Sequence, residues 1–399
     1  MSSLICTFWG VGQGLFSSGK IKRDNNEFIW VYDCGSDNQD LVDEAINRMK
    51  SHHKKEEINL LVISHFDKDH ISGIKTLCQH YKIKRIVLPY YTLWDRLYLF
   101  SILKIDKEDE FFNFFINPVG YLIKELELTE ETDILLVPTS DIEAEPLVQD
   151  PTFIEDDDGL RFIEIKPLSK EFDDTNHKVR WLAPQKLLEI EKEAEFFFYN
   201  VPTSLLKQKP ANFSLFRRDI QNILSISPID INAIKKVYGK YFIRQNKSGK
   251  NNSLDANIIS LFLYITPLFD KSAYCEYLLE TKKMGNIYRL VVCDKDFRHR
   301  KGILYTGDGS LKTKVLLDTF KQYIGQDRLK NIGCLQVMHH GAKGNWQKGL
   351  GQLFEPVVSI FSADENSKYH HPHPEVVKDF LPYQPVWVNQ NLDVTIYIC

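Results

Sequence analysis

The stretch SHFDKDHISG, Ser64 to Gly73, places four metal-ligand side chains within six residues: His65, Asp67, Asp69 and His70. It follows directly on the apolar run INLLVI. A buried strand that stops at a polar cluster and feeds a helix is a common place for an active site in α/β proteins. On an extended segment alternate residues face the same way, so His65 and Asp67 can point into one cavity. Asp69 and His70 follow at the turn into the next helix and can serve a second, adjacent ion. Imidazole and carboxylate together suit zinc, iron or manganese.

Reading outward, LICTFW is a strand, GVGQG a glycine turn and EFIWVYDCG a second strand. DNQDLVDEAINRMKSHH is a helix with capping residues at its start. INLLVISH is a buried strand, HISGIKTLCQHY a helix and IKRIVLPYY the next strand. Much later, β-branched runs of strand length return: ANIISLFLYI, IYRLVVCD, GILYTGD, GCLQVMHHG, VSIFSAD and VTIYIC. Several of these also end in ligand types. LYTGD ends at Asp308, LQVMHHG at His339 and His340, and ENSKYHHPHPEVV carries His370, His371 and His373. Two metals need several protein ligands with a carboxylate as a natural bridge, and Asp308 is expected to be that bridge. Asp33, which ends its strand, is expected to orient a ligand histidine. Asn257 and Ser260 are expected to be structural.

These clusters resemble the metallo-β-lactamase fold, and most closely the branch containing the metallo-β-lactamase-like domain of the ComEC-type DNA-uptake channel. The motifs that carry the resemblance occur in family order. They are VGQG at Val11–Gly14, YDCG at Tyr32–Gly35 and HFDKDHISG at His65–Gly73. NIISL at Asn257–Leu261, TGD at Thr306–Asp308, HHG at His339–Gly341 and YHHPHPE at Tyr369–Glu375 follow. The resemblance implies an α/β architecture, an αββα metallo-β-lactamase sandwich with a two-metal site at one end of its sheets. It makes His65, Asp67, Asp69, His70, Asp308 and one histidine of His339/His340 metal ligands. His371 is placed at the rim near a phosphate, with His373 beside it as a second substrate-binding residue. WLAP offers Ala183, so no extra histidine ligand is found between the second and fourth motifs. One metal is therefore expected to be held more weakly.

On this reading residues 1–92 and 251–399 form the two halves of the domain, and 176–186 is a strand returning to the sheet. Residues 93–175 form an acidic insertion. From Glu125 to Asp174 there are seventeen acids against three bases, read as a solvated surface. Residues 187–250 form a helical, basic insertion, and PQKLLEIEKEAEFFFYN, from Pro184, shows helical spacing. From Lys207 to Lys250 ten bases face two acids, interleaved with Phe213, Phe216, Tyr238, Tyr241 and Phe242. Such a surface can track a nucleic-acid backbone and stack bases, with Lys235, Lys236 and Lys240 as candidate contacts. The bland alternative is a helical subdomain with aromatic core residues and solvated lysines.

The net charge of -4 over 399 residues gives no global pull toward nucleic acid or membrane. Seven cysteines occur singly with no C-x-x-C pair, against a disulfide framework or a cysteine zinc site. No signal peptide, membrane span or membrane partner is expected, and a reducing cytoplasm is the simplest home. The expected function is hydrolysis by two divalent ions, zinc or manganese, of a phosphodiester in DNA or RNA. Asp69 is the expected proton acceptor and His371 the expected aid to the phosphate or leaving oxygen. A small-molecule hydrolase, of a phosphorylated or cyclic-nucleotide metabolite, is the alternative. A scaffold whose insertions bind a partner protein is the third reading. Oligomeric state is not legible.

Overall fold

The structure is a computed structural model. It describes residues 3–23, 26–53, 55–103, 115–139, 141, 152–167, 171–172, 175–183, 187–190, 193–205, 212–225, 230–242, 259–268, 277–283, 286–292, 300–364 and 366–398. Asn257, with the whole of 243–258, lies outside these.

The fold is mixed α/β, built around a large mixed sheet. Its first half runs from Tyr277–Lys283 through Asp393–Ile398, Ser3–Phe8 and Phe16–Arg23 to Asn26–Cys34. It continues in parallel through Leu60–Val62, Arg85–Pro89, Asp133–Val137 and Val179–Leu182. Leu160–Ile165 is the corner: it pairs with Val179–Leu182 at one end and with Leu187–Ile190 at the other. The second half then runs through Ala194–Tyr199, Phe262–Pro267 and Gly302–Tyr305. It ends in a parallel run of Ile332–Gln336, Val358–Ser362 and Pro385–Val388.

Alternation along the strands decides the layering. Phe28, Trp30 and Tyr32 enter a cluster shared with Phe196, Phe198, Leu263, Ile265, Ile303 and Tyr305, so the two halves pack face to face. Ile29 and Val31 point the other way, onto Val42, Ala45, Ile46 and Met49 of the helix Gln39–His52. On the far side Phe262, Tyr264 and Leu304 meet Leu316 and Phe320 of the helix Lys314–Ile324. Helices therefore cover the outer face of each half.

Several expectations are corrected. The helical spacing over 184–200 is a coincidence of a run buried on both faces. Leu187–Ile190 and Ala194–Tyr199 are strands of one hairpin, with Phe196 and Phe198 on one face and Phe197 and Tyr199 on the other. Pairing of Ala194–Tyr199 with Phe262–Pro267 fixes that choice. The expected helix over 70–81 is broken into Lys68–Ile71 and Ile74–His80, because Gly73 N donates to Cys34 O at 2.8 Å. Within 93–175, Asp133–Val137 and Leu160–Ile165 contribute strands to the sheet itself.

In the basic segment, the helices Phe213–Leu224 and Ile231–Phe242 do form. Their aromatics are core: Phe213, Phe216, Tyr238 and Tyr241 are buried against Phe100 and Tyr98. They offer no stacking surface. Among the described residues no helix is long and apolar enough to cross a membrane.

Candidate metal centre

Asp33, Ser64–His65, Asp308 and His339–His340 all sit at or just beyond the C-terminal ends of parallel strands, on one edge of the sheet. Two glycines let the backbones meet there. A Cβ on Gly14 would lie 2.4 Å from Gly35 O and 2.8 Å from Asp69 O, next to the bond from Leu15 N to Asp69 O. A Cβ on Gly307, at φ 52, would lie 2.8 Å from Ser64 Oγ.

Four imidazoles converge on the Asp308 carboxylate. His70 Nε2 lies 3.1 Å from Oδ1 and His340 Nε2 3.5 Å from it. His339 Nε2 lies 3.4 Å from Oδ2 and His65 Nε2 3.8 Å from it. Asp69 Oδ2 is 3.2 Å from His340 Nε2, and Asp67 Oδ2 is 3.7 Å from His65 Nε2. Ligand atoms of Asp69, His70, Asp308 and His340 all lie within 4.8 Å of one another.

The other nitrogen of each ring is held by an acceptor. His70 Nδ1 donates to Asp33 Oδ2 at 2.8 Å. His339 Nδ1 donates to Asn345 Oδ1 at 2.9 Å, and His340 Nδ1 to Ser362 O. Ser64 Oγ gives its single proton to Asp33 Oδ2, so toward His65 Nδ1, at 2.9 Å, it can only accept. In its neutral form every ring therefore carries its proton on Nδ1 and turns the Nε2 lone pair toward Asp308. His65 Nε2, His70 Nε2 and Asp308 Oδ1 are buried without a hydrogen-bond partner. With neutral rings, buried acceptors would face one another, an arrangement that either protons on the imidazoles or a bound cation relieves.

The charged groups of the cluster shift one another's protonation. Burial alone would push His70 and His340 down, but Asp308 and Asp69, and for His70 also Asp33, hold both above the usual range. Burial opposes charge on Asp308 as well, yet His339, His70 and His340 keep its carboxyl well below the ordinary value. Positive charge on these histidines and negative charge on the acids favour each other. His65, where burial and His70 prevail, falls to about 4 and stays neutral.

The comparisons add the following. No family model matches the chain. A stretch of 44 residues is 43% identical to ComE operon protein 3 of Bacillus subtilis, covering 11% of this chain and 6% of that protein. Among solved structures, the metallo-β-lactamase fold protein YhfI from Bacillus subtilis aligns over 98% of this chain and 99% of its own, at 11% identity and a TM-score of 0.37. The chain is similar to metallo-β-lactamase-fold proteins. A long-form RNase Z from yeast aligns over 98% of this chain and 41% of its own, at 10% identity and a TM-score of 0.33. A diphosphatase from the PhnP family covers 40% of this chain and 56% of its own, at 13% identity and a TM-score of 0.19.

The sequence-predicted residues His65, Asp67, Asp69, His70, Asp308, His339 and His340 thus lie in one cluster. His371 borders it, its ring stacked at 6.2 Å on His340 and at 5.9 Å on Tyr369. His373 is next to His371, with ring centroids 5.1 Å apart. Burial, then His340 and His339, push His371 down to about 3. Lys235, Lys236 and Lys240 lie elsewhere, on the helix Ile231–Phe242, where Lys240 pairs with Asp219 at 2.9 Å. Asp33 orients His70 as expected. Ser260 is more than structural filler: its Oγ accepts from Asp308 N at 3.0 Å and lies 3.3 Å from His65 Nδ1. Asn345 and Ser362 were missed, because nothing in their own sequence surroundings marks them. Ser64 had one signal, its place directly before His65.

Proposed function

We propose that this protein is a metal-dependent hydrolase of phosphodiesters, with an αββα metallo-β-lactamase sandwich and a dinuclear centre at His65, Asp67, Asp69, His70, Asp308 and the His339–His340 pair. The observation that carries this reading is the convergence of four Nε2 lone pairs on one buried carboxylate. Two divalent ions, zinc or manganese, would lower the pKa of a shared water and neutralise charge on the attacked phosphoryl group. Asp308 spans both half-sites, Oδ1 facing His70 and His340 and Oδ2 facing His65 and His339. Asp69, ionised and beside His340, is placed to take a proton from the nucleophile. His371, at the rim with its ring stacked on His340, would donate a hydrogen bond to a phosphate oxygen or aid the leaving oxygen.

DNA or RNA is the preferred substrate, supported by the surplus of bases on the two helices, where Lys236 and Lys240 are exposed. Burial of the four aromatics there favours a second reading, a small phosphorylated or cyclic-nucleotide metabolite. Metal-reconstituted protein offered single-stranded, double-stranded and small phosphodiester substrates in parallel separates the two. Reversing Lys235, Lys236 and Lys240 to glutamate is expected to cut cleavage of long strands and flatten its salt dependence, leaving a small chromogenic diester untouched. An unchanged rate on long strands would favour the metabolite.

A further inference from the structure

His65 Nε2 lies 3.7 Å from Asp67 Oδ2 and 3.8 Å from Asp308 Oδ2, and His339 Nε2 lies 3.4 Å from that same Asp308 oxygen. We propose that the two adjacent histidines serve different ions: His339 with His65 and Asp67, His340 with Asp69 and His70. This rests on the reading of the site as a dinuclear centre.

Adjacent side chains on an extended strand point to opposite faces. Here both backbones are left-handed, His339 at φ 47, ψ 54 and His340 at φ 55, ψ 17. Non-glycine residues in this region are sparsely populated and cluster at functional sites. The consequence is visible in the distances. His339 Nε2 reaches Asp308 Oδ2, the oxygen that also faces His65, whereas His340 Nε2 reaches Oδ1, which faces His70.

His339 is built in rather than adventitious at the rim. Its backbone N donates to Gly307 O at 2.9 Å. Asn345 is 4% exposed, and its Nδ2 donates to Asp308 O at 2.9 Å, which fixes the amide so that Oδ1 accepts from His339 Nδ1. One side chain thus ties the bridging residue to this imidazole. Asn345 is a positioning residue.

The test is metal stoichiometry and affinity, by elemental analysis and titration with manganese or zinc alone. His339→Gly is the chosen variant because glycine accepts the left-handed backbone without strain. The full chain is expected to hold two ions, and His339→Gly one. His340→Gly is expected to lose the other ion. Asn345→Ala is expected to keep the fold, checked by thermal melting, and to weaken only the ion lost in His339→Gly, by about 10–100-fold. Cobalt(II) spectra report which coordination sphere has changed. Two ions held by His339→Gly with wild-type affinity would overturn the assignment while leaving the dinuclear reading intact. A wild-type chain that binds no ion would overturn both.

Discussion

The parallel part of the sheet carries charge at both ends, on different strands, and the two ends are built on opposite principles. At the N-terminal end of Arg85–Pro89, the guanidinium of Arg85 is 1% exposed. Asp156 accepts from its Nε at 2.9 Å and Nη2 at 2.7 Å, and Asp158 from Nη1 at 2.7 Å and Nη2 at 2.8 Å. Asn59, just before Leu60–Val62, adds a bond to Asp158 at 3.1 Å. Arg180 reaches Asp133 at 3.2 Å. Every donor of Arg85 meets an acceptor, although Nε and Nη1 of the neighbouring Arg180 are buried without a hydrogen-bond partner. At the C-terminal end, neutral imidazoles would turn acceptors toward the Asp308 carboxylate, and positive charge is needed to balance it. A fully paired guanidinium stabilises a fold, whereas convergent carboxylates and imidazoles invite a cation.

The sharpest way to break this comparison is Asp308→Ala. Loss of the bridging carboxylate is expected to abolish retention of both ions after dialysis, with secondary structure preserved by circular dichroism. Unchanged metal content would end the assignment of Asp308.

Asp158→Ala attacks the balanced end. It leaves Arg85 buried with half its partners, at a cost of about 3 kcal/mol in a urea unfolding experiment, and metal content should not move. Adding metal at about 100 times its Kd should stabilise wild type and this variant alike, by about 2.7 kcal/mol for each ion bound. Unequal increments would mean that the two ends are coupled.

The smallest difference is in pH. His70 and His340 are raised by their acids, so they hold protons that a metal must displace. Apparent metal affinity should therefore rise with pH through neutrality, with proton release visible by calorimetry in buffers of different ionisation enthalpy. Asp158 moves the other way. Burial opposes its charge, but Arg85 and Lys84 hold its carboxyl below 3.8. Its stabilising contribution is complete above that value and is lost only as pH falls through the lowered one. Metal affinity that is flat from pH 6 to 8 would contradict the first half of this contrast.

Much of the candidate site was legible in the chain because several of its ligand-type side chains are local in sequence. His65, Asp67, Asp69 and His70 share one turn, and strand-end spacing marked Asp308 and the His339–His340 pair. Strands such as Asn26–Cys34 and Ile332–Gln336 were equally plain, being short β-branched runs with turn signals at their ends.

Other features depended on partners distant in the chain. AEFFFY fits either period until Phe262–Pro267 pairs with it, since a run buried on both faces carries no amphipathic signal, and LLEI becomes a strand by pairing with AEFFFY in turn. The acids of EDDD read as solvated, yet Asp156 and Asp158 are counter-charges to Arg85, more than seventy positions away. The ring orientations depend on Asp33, Ser64, Asn345 and Ser362, which different strand ends and, for Asn345, a turn bring to the site. The sequence alone determined which side chains have metal-binding chemistry. Tertiary structure decided which lone pairs face one another, because a histidine's free nitrogen is set by what holds the other one.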